Sequence, residues 1–453
     1  MQVELYDTLS RQKKLLEPKD NTVRIYHCGM TVQSRPHVGH LRGYIVMDAL
    51  RRFLRFKGYE VRLVQNITDI DDKVIEKSAA EGIDWRMLAE RNTKELLDVT
   101  DALNIERPTV MPRATQHIEE IINLVSQIIE KGHAYEAEGD VYFDVRSYPA
   151  YGKLSGKNVD ELESGARIEP SENKRDPLDF ALWKAAKPAE PYWFSPWGKG
   201  RPGWHIECSA MSAHYLGSEF DIHAGGEDLV FPHHENEIAQ YEAATGKEFA
   251  KAWMHVEMLN LAGEKMSKST GHLVVASDVI EAYDPNVLRM FTLRVHYRAQ
   301  TEYTMDGMDE AKSAWERITT FLAAAGQILD QSSLAAGYPE FEKALSEDFN
   351  TPKAVGLVFD LVREGNDALT VGDKDKLAEA TAKLNLALSI LGFRPQRRSE
   401  GKDINTLLDL LVSFRGKLRK AKAFEWADKL RDMIQEAGLI MEDTKEGTRI
   451  RFR

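Results

Sequence analysis

The chain contains little cysteine and no long apolar run. Only two cysteines occur among 453 residues, so a disulfide framework is excluded and a cytoplasmic location is expected. No stretch reaches the roughly 18 apolar residues that a membrane-spanning helix needs. The first 20 residues also lack the apolar core of a secretory signal. With 43% hydrophobic and 29% charged residues, the composition indicates a globular protein rather than a disordered or fibrous one.

Acidic residues outnumber basic ones, and the formal net charge is −12. This balance argues against a protein that coats nucleic acid indiscriminately, because such binding is driven by counterion release from phosphates. The charge is unevenly distributed, however, since residues 395–453 contain 14 Lys and Arg but 10 Asp and Glu. A basic end allows a local nucleic-acid contact, although a solvated helical surface explains the charge equally well.

The apolar pattern predicts an α/β fold. A strand over 22–32, a helix over 41–58 and a strand over 59–67 form a strand–helix–strand unit, for which a parallel sheet is expected. Helical periodicity fades over 136–203, where Tyr, Trp, Pro and Gly cluster, and this indicates an insertion of strands and loops. Residues 306–393 have long Leu, Ala and Val rows, which predict a helical bundle.

Two loops have residues suited to a nucleotide. His37, Gly39 and His40 stand at the start of the first helix, where unpaired backbone N–H groups and the helix dipole favour an anion such as phosphate. Residues 263–271, with the sequence GEKMSKSTG and termed here the lysine loop, contain Lys265 and Lys268, which can neutralise a triphosphate. Taken alone, each motif also fits a simpler interpretation, a polar helix entry or a surface turn.

The two cysteines lie in suggestive surroundings. Cys28 ends the first strand, at the edge where open parallel sheets bind ligands, and Cys208 opens a later helix. His233 and Glu237 are spaced to share one helical face. Two thiolates, an imidazole and a carboxylate suit a tetrahedral zinc site, but two buried apolar cysteines would also fit the pattern. The GKGRPG run at 198–203 matches G-x-G-x-x-G but lacks a preceding strand, so dinucleotide binding is not expected.

Longer segments resemble the cysteinyl-tRNA synthetase family of class I aminoacyl-tRNA synthetases. His37-Val38-Gly39-His40 is similar to the HIGH signature of that class, and residues 265–269 match its KMSKS loop in full. Further similarity covers nearly the whole chain, in the segments NITDIDDKVI, YGKLSG, DPLDFALWKAAKP, RPGWHIECSAMS, FDIHAGGEDLVFPHHENEIAQ and ADKLRDMIQEAGLIMEDTKEGTRIRF.

The resemblance implies a full set of site residues. It implies one zinc ion per chain, with the ligands Cys28, Cys208, His233 and Glu237. It implies ATP binding, with Mg²⁺, and catalysis by the two signatures through His37, Gly39, His40, Lys265 and Lys268. Near the substrate amino acid it implies Gly29, Thr68, Trp204 and Asp228. The activity expected is ATP-dependent ligation of L-cysteine to tRNA(Cys) through cysteinyl-adenylate.

The resemblance also implies a domain plan and partners. The expected parts are a Rossmann-like catalytic domain at 1–135 and 204–262, an inserted connective segment at 136–203, a KMSKS and stem-contact region at 263–305, a tRNA-binding helical bundle at 306–393, and an anticodon-binding unit at 394–453. The expected partners are tRNA(Cys), L-cysteine and ATP, with no membrane, and the chain is expected to act as a monomer.

Three positions depart from the family pattern, and three rival functions stay open. Met30, Val38 and His272 stand where proline, isoleucine and asparagine are usual. The nearest rival is a ligase that joins cysteine to an amino-sugar, but such relatives lack the C-terminal end present here. The second rival is a non-catalytic paralogue that binds RNA or senses zinc, and the third is a zinc hydrolase. The chain has no HExxH motif for a hydrolase of that kind.

Overall fold

The structure is a computed structural model. It describes residues 2–158, 173–261, 264–265, 274–329, 333–395, 400–436, 439–444 and 447–452. The chain divides into two compact units, Met1–Arg394 and Pro395–Arg453. Among the described residues, no helix is both long and apolar enough to cross a membrane.

A four-stranded parallel sheet forms the centre of the first unit. Its strands lie in the order β11–β10–β3–β4, and their bounds are Thr22–His27 (β3), Glu60–Gln65 (β4), Ile222–Gly226 (β10) and Trp253–Val256 (β11). Helix α1, Val38–Phe56, connects β3 to β4. Strand β3 pairs with β4 on one side and with β10 on the other. The chain therefore leaves the sheet in opposite directions here, and this creates a crevice at the carboxyl ends of the strands, where ligands bind in sheets of this kind. The predicted α/β class is confirmed.

Several predicted boundaries differ from the structure by a few residues. Strand β3 ends at His27 rather than residue 32, because the chain leaves the sheet at Cys28 and Gly29. Helix α1 begins at Val38 rather than residue 41, because His37 already occupies the N-cap position with extended backbone. The second predicted strand, 59–67, is observed as Glu60–Gln65.

A five-stranded antiparallel sheet is inserted between the halves of the parallel sheet. Its order is β5–β6–β7–β9–β8, with bounds Ala134–Ala137 (β5), Asp140–Phe143 (β6), Phe180–Ala185 (β7), Trp193–Ser195 (β8) and Gly198–Pro202 (β9). The GKGRPG run thus lies largely in an antiparallel strand, β9, and not at the start of a helix after a parallel strand.

Helices connect these sheets and surround them. The part of the first unit before the bundle, residues 1–304, contains the predicted catalytic domain and is called here the catalytic body. Its further helices are Asp72–Glu81 (α2), Trp85–Ala102 (α3), Ile118–Glu130 (α4), Trp204–Leu216 (α5), Glu235–Thr245 (α6), Ala276–Ala282 (α7) and Pro285–Leu293 (α8). Those of the bundle are Met305–Gly326 (α9), Pro339–Ser346 (α10), Thr351–Val371 (α11) and Lys374–Ile390 (α12). Two small sheets complete the unit, one of Glu4–Asp7 (β1) and Gln12–Leu15 (β2), the other of Leu259–Leu261 (β12), Glu264–Lys265 (β13) and Thr301–Tyr303 (β14).

The bundle shares one apolar core with the parallel sheet. Buried residues of α1, such as Phe53, belong to the same cluster as Phe321, Phe349 and Leu384 of the bundle region. Within this core the Arg289 guanidinium lies 2.8 Å from the Asp48 carboxylate, and both side chains are almost fully buried. The sheet that carries the site and the bundle therefore form one packed body.

The second unit is small. It contains helices Glu400–Lys420 (α13) and Phe424–Glu436 (α14), followed by an antiparallel hairpin of Leu439–Thr444 (β15) and Gly447–Phe452 (β16). The last turn of α13 carries the cluster Lys417, Arg419 and Lys420.

Candidate active site and metal centre

A cavity of about 460 Å³ opens at the carboxyl ends of the parallel strands. Cys28 and Gly29, which follow β3, line it beside Asp228, which follows β10. His37 and His40 at the start of α1 line it from another side. We call residues 37–40 the helix-start motif. The sheet topology thus brings this motif and one predicted metal ligand, Cys28, to the same cavity, although about ten residues separate them in the chain.

The structure brings the four predicted zinc ligands together. One donor atom from each of Cys28, Cys208, His233 and Glu237 lies within 4.8 Å of the others, and all four residues are buried. Different elements supply them: Cys28 follows β3, Cys208 lies in the second turn of α5, and Glu237 lies in the first turn of α6, four residues after His233. We call this set the four-ligand cluster.

Distances within the cluster fit a tetrahedral metal. Zinc bonds of about 2.3 Å to sulfur and about 2.1 Å to oxygen place two sulfurs about 3.8 Å apart and a sulfur and an oxygen about 3.6 Å apart. The Sγ atoms of Cys28 and Cys208 are 3.8 Å apart, and Cys28 Sγ is 3.5 Å from Glu237 Oε1. His233 Nε2 is 3.0 Å from the same oxygen. The donor set therefore suits a metal ion in both chemistry and spacing.

Electrostatics in the cluster favour a cation. Burial raises the pKa of the Cys28 thiol, whereas a hydrogen bond from Cys28 lowers the pKa of Cys208 to about 6. Burial opposes the charge of Glu237, but the imidazoles of His223 and His233 outweigh it and hold the pKa of this carboxyl at about 2. Burial opposes protonation of His233, but Glu237 and Cys208 outweigh it and raise the pKa of His233 to about 10. A positive charge thus compensates the anionic Cys208 and Glu237 in this buried place, a role that a metal ion can take over as it displaces the proton.

Further histidines surround the four-ligand cluster, and the sequence interpretation missed them. His223 Nε2 lies 2.8 Å from Glu237 Oε2, and His234 Nε2 lies 3.3 Å from Cys28 Sγ. These two histidines, together with Cys28 and Glu237, form a second set of donors within 4.8 Å of one another. Burial lowers the pKa of His234 well below its usual range, so this ring is neutral. The adjacent His-His pair in FPHHEN was a signal, but only the fold shows which ring faces which cysteine.

Outer contacts hold the ligand side chains in place. His205 Nδ1 lies 2.8 Å from His233 Nδ1, and the Trp204 ring lies against His233 with centroids 4.5 Å apart. His255 Nε2 lies 2.8 Å from His234 Nδ1. Partners of this kind fix the orientation of a ligand ring, and loss of one typically lowers metal affinity or activity by about 10- to 100-fold.

The helix-start motif has a geometry suited to an anion. The rings of His37 and His40 are stacked, with centroids 3.5 Å apart, and the His37 backbone N–H lies 3.4 Å from His40 Nδ1. The first turn of α1 contains no acidic residue, and Gly39 lines the cavity. The positive end of the helix dipole therefore faces the cavity with no carboxylate in its own first turn.

Of the residues predicted near the amino acid, three line the cavity. Gly29, Trp204 and Asp228 do so, whereas Thr68 is not among the lining residues. Thr68 is buried behind Gly29, where its Oγ1 accepts a hydrogen bond from Asn66 Nδ2 at 3.2 Å. Asn66 Oδ1 in turn accepts one from the Gly29 N–H at 2.8 Å. Thr68 is thus placed to support the cavity wall rather than to form it.

Most of the lysine loop, including Lys268, lies outside the described residues, and so does His272, which follows the loop. Lys265 is described only as part of strand β13, which pairs with β12. Strand β12 begins at Leu259, which lines the cavity. The segment that leads into the lysine loop therefore starts at the cavity wall.

Comparison with known families gives two matches. The description "tRNA synthetases class I (C) catalytic domain" matches residues 14–313, and "DALR domain" matches residues 340–395. Cysteine--tRNA ligase of Carboxydothermus hydrogenoformans is 45% identical over 99% of both chains, and that of Caldicellulosiruptor saccharolyticus is 46% identical over 99% of both. Cysteine--tRNA ligase of Thermococcus onnurineus is 44% identical over 99% of this chain and 98% of its own.

Solved structures share the fold at lower identity. Methionyl-tRNA synthetase of Mycobacterium tuberculosis in complex with methionyl-adenylate has a TM-score of 0.59 and 18% identity, covering 86% of this chain and 94% of that one. A second structure of the enzyme, also bound by methionyl-adenylate, has a TM-score of 0.56 and 16% identity, covering 82% and 90%. These similarities establish the class I synthetase fold.

Proposed function

The chain belongs to the cysteine–tRNA ligase family, and we propose that its four-ligand cluster binds the zinc ion that selects cysteine. Membership establishes the reaction class, the joining of cysteine to tRNA(Cys) in protein synthesis. The observation that supports the zinc proposal is the meeting of the only two cysteines of the chain with His233 and Glu237 in one buried cluster.

The donor chemistry favours zinc among common metals. Two thiolates and an imidazole are ligands typical of zinc, whereas magnesium and calcium prefer oxygen. When bound, zinc supplies a soft Lewis acid that stabilises the thiolate of the substrate, whose free pKa is about 8.5. A serine hydroxyl is harder and far less acidic, so serine is rejected in the first binding step and no separate editing site is required.

The residues of the chain perform the activation step by position and charge. The carboxylate of cysteine attacks the α-phosphorus of ATP in line, and pyrophosphate leaves. His37 and His40 at the positive end of α1, together with Lys265 and Lys268 and a Mg²⁺ ion carried with ATP, stabilise the charge that develops on the phosphates. Gly39 leaves room for the nucleotide at the backbone. No nucleophile from the protein is needed.

The substrate amino acid lies between the four-ligand cluster and the residues that bind ATP. Trp204 and Asp228 line the cavity beside the four-ligand cluster, so they are placed to contact the rest of the cysteine once its sulfur is held. Gly29, which has no side chain, lets the substrate approach the end of β3 closely. Thr68 holds this strand end in place through its hydrogen bond with Asn66, which in turn binds the Gly29 N–H. The 3′-terminal ribose hydroxyl of tRNA then attacks the acyl carbon of cysteinyl-adenylate; the ester bond forms as the bond to the phosphate breaks, and AMP and the hydroxyl proton leave.

Binding of the tRNA body is assigned to the rest of the chain. The bundle, predicted over 306–393, contains the matched DALR domain, and the unit at 394–453 carries the basic end of α13. The region at 263–305 contacts the tRNA stem in this scheme. We further propose that the enzyme acts as a monomer in the cytoplasm.

The test uses Cys208→Ser, with Cys28→Ser as a second ligand variant. Both variants are expected to lose zinc and to raise the KM for cysteine in ATP–pyrophosphate exchange far more than the KM for ATP, because only the sulfur-binding group is removed. Ala213→Ser, which adds a hydroxyl to the same helix away from the cluster, is the matched control and should behave as the parent enzyme. Retention of zinc by both variants, or equal changes in the two KM values, would contradict the proposal.

A further inference from the structure

Three parts of the catalytic body meet at the guanidinium group of Arg35, which lies in the loop before α1. Its Nε donates to both carboxylate oxygens of Glu95 in α3, at 2.7 and 3.0 Å. Its Nη2 donates to Ser277 Oγ at 2.6 Å and lies 3.4 Å from Asp278 Oδ1. Ser277 Oγ in turn donates to Glu95 at 2.8 Å. Arg35, Glu95 and Ser277 thus form a closed triangle of hydrogen bonds that links the loop, α3 and α7.

The backbones of the same loop and of the chain before α7 are also paired. The Ala276 N–H donates to Pro36 O at 2.9 Å, and the Val38 N–H donates to Val274 O at 3.0 Å. Between these bonds His37 pairs with Val275 in antiparallel fashion. The chain that leaves the lysine loop is therefore attached along the start of α1.

These attachments join the two motifs that act on ATP. His37 and His40 lie two and five residues after Arg35 at the start of α1, and Lys268 precedes Val274 by only six residues of chain. The relative position of the histidines and the lysine depends on how the two segments are held together. Among the described residues, the Arg35 triangle and the short backbone pairing hold these two segments together.

We propose that Arg35 is a positioning residue for adenylate formation, because it fixes the exit of the lysine loop against the start of α1. This inference rests on the roles proposed above for His37, His40 and Lys268. Arginine suits the task since its planar group can bind a carboxylate and a hydroxyl on two different helices at once, which a lysine ammonium cannot do with the same geometry.

The expected effect is on rate rather than on stability. The Arg35 side chain is 50% exposed, and ion pairs at such positions contribute little to the stability of a fold. A displacement of catalytic groups by about 1 Å, however, can reduce a rate by about a hundredfold. Loss of the triangle is therefore expected to lower turnover while the fold persists.

The matched control is Arg91, which lies in α3 one turn before Glu95. It is 53% exposed and bonded to the Glu81 carboxylate at 2.9 Å. It lines the same surface cavity as Arg35. Its guanidinium donates to Glu81 in α2 and to Asn92 in α3, and it makes none of the hydrogen bonds that link α3 to α7. Arg91→Ala thus removes the same charge from the same surface while the hydrogen bonds of the triangle stay in place.

The experiment measures cysteine-dependent ATP–pyrophosphate exchange in the full-length enzyme. Arg35→Ala is expected to lower kcat about tenfold or more, with the KM for cysteine and the thermal midpoint unchanged, whereas Arg91→Ala keeps the parent values. Ser277→Ala, which removes a single hydroxyl, should lower kcat by a smaller factor. The double variant should be no slower than Arg35→Ala, because both changes open the same triangle. Arg35→Lys should restore less than half of the lost rate.

Two outcomes would overturn the inference. One is equal kcat for Arg35→Ala and Arg91→Ala; the other is fully multiplicative losses in the double variant. If Arg35→Ala also lowers the thermal midpoint, its rate is not used, and the test rests on Ser277→Ala. An unchanged kcat for Ser277→Ala then overturns the inference.

Lys268→Ala is measured in parallel, because the inference depends on the proposed role of the lysine loop. An unchanged rate for Lys268→Ala contradicts that proposed role. A slow Lys268→Ala enzyme together with an unchanged rate for Arg35→Ala contradicts only the positioning role of Arg35.

Discussion

Among single residues, the members of the four-ligand cluster were indicated by scarcity as much as by pattern. A chain with only two cysteines, one at a strand end and one at a helix start, draws attention to both. His233 and Glu237 were recognisable from their i, i+4 spacing. His223 and His234 were not predicted as partners of Glu237 and Cys28, because their approach depends on how β10 packs beside β3 and on the turn before α6.

Gly29 illustrates a residue whose importance is steric. A Cβ atom at this position would overlap the Asn66 carbonyl oxygen, so the ends of β3 and β4 can meet only if the residue has no side chain. Gly29→Ala is therefore expected to push the two strand ends apart, to destabilise the fold by about 1–3 kcal/mol, and to weaken metal retention at Cys28.

The measurement for Gly29→Ala is the urea midpoint together with zinc content. Gly356→Ala serves as control, because that glycine is exposed in α11 and nothing lies within 4 Å of the added methyl group. The control should be slightly stabilised, by about 0.5–1 kcal/mol. A Gly29→Ala enzyme with the parent midpoint and full zinc would show that the strand ends can separate without consequence.

Among the helices and strands, most helices and the first two parallel strands were predictable from apolar periodicity, but β10, β11 and the N-terminal hairpin were not. Strand β2 is largely exposed and polar, with the sequence QKKL, so it has no apolar alternation to detect. Its position depends on Asp7, whose carboxylate accepts from the Ser10 N–H at 3.0 Å and the Trp253 N–H at 2.8 Å and lies 2.7 Å from Lys14 Nζ. Such a long-range polar anchor cannot be seen before the fold is known.

Asp7 gives a prediction about pH. Burial opposes its charge, but the bonds from Lys14, Ser10 and Trp253 prevail and lower its pKa. A carboxyl with a lowered pKa in the folded state contributes stability above its unfolded pKa of about 3.9, and that contribution is lost as the pH falls through the folded pKa. Asp7→Asn should therefore destabilise the enzyme by about 1–3 kcal/mol at pH 7, and by much less near pH 3.

Urea midpoints of parent and Asp7→Asn at the two pH values provide the test. Asp367→Asn is a suitable control, since Asp367 is an exposed carboxyl of α11 and should shift the midpoint little at either pH. A difference between parent and Asp7→Asn that is the same at pH 7 and pH 3 would rule out the ionised anchor.

For the molecule as a whole, the order of parts was predictable from the sequence, but the way in which they share a core was not. Residues of α1 and of the bundle belong to one apolar cluster, and the Asp48–Arg289 ion pair lies inside it. Periodicity shows that a helix has an apolar side, but it does not show which distant helix covers that side. The bundle is therefore a continuation of the catalytic body in packing, even though the composition suggested a separate part.

The C-terminal unit yields a prediction about tRNA binding. Lys417, Lys420 and Lys422 are exposed at and just after the end of α13. If this unit contacts the phosphates of tRNA, replacing all three by glutamate should raise the KM for tRNA and flatten the dependence of aminoacylation on salt, because fewer counterions are released. Cysteine-dependent pyrophosphate exchange, which needs no tRNA, should be unaffected. An unchanged KM for tRNA would remove these lysines from the interface.

In the function proposed above, selection of cysteine depends on a zinc ion that the four-ligand cluster holds and that binds the sulfur of the substrate. Zinc K-edge X-ray absorption counts the sulfur ligands of the metal, and it can be recorded on the purified enzyme without amino acid and then with saturating cysteine or serine. We expect two sulfur ligands per zinc at about 2.3 Å in the free enzyme and with serine, and three with cysteine. A count that stays at two with saturating cysteine, or active enzyme without zinc, would contradict this mechanism.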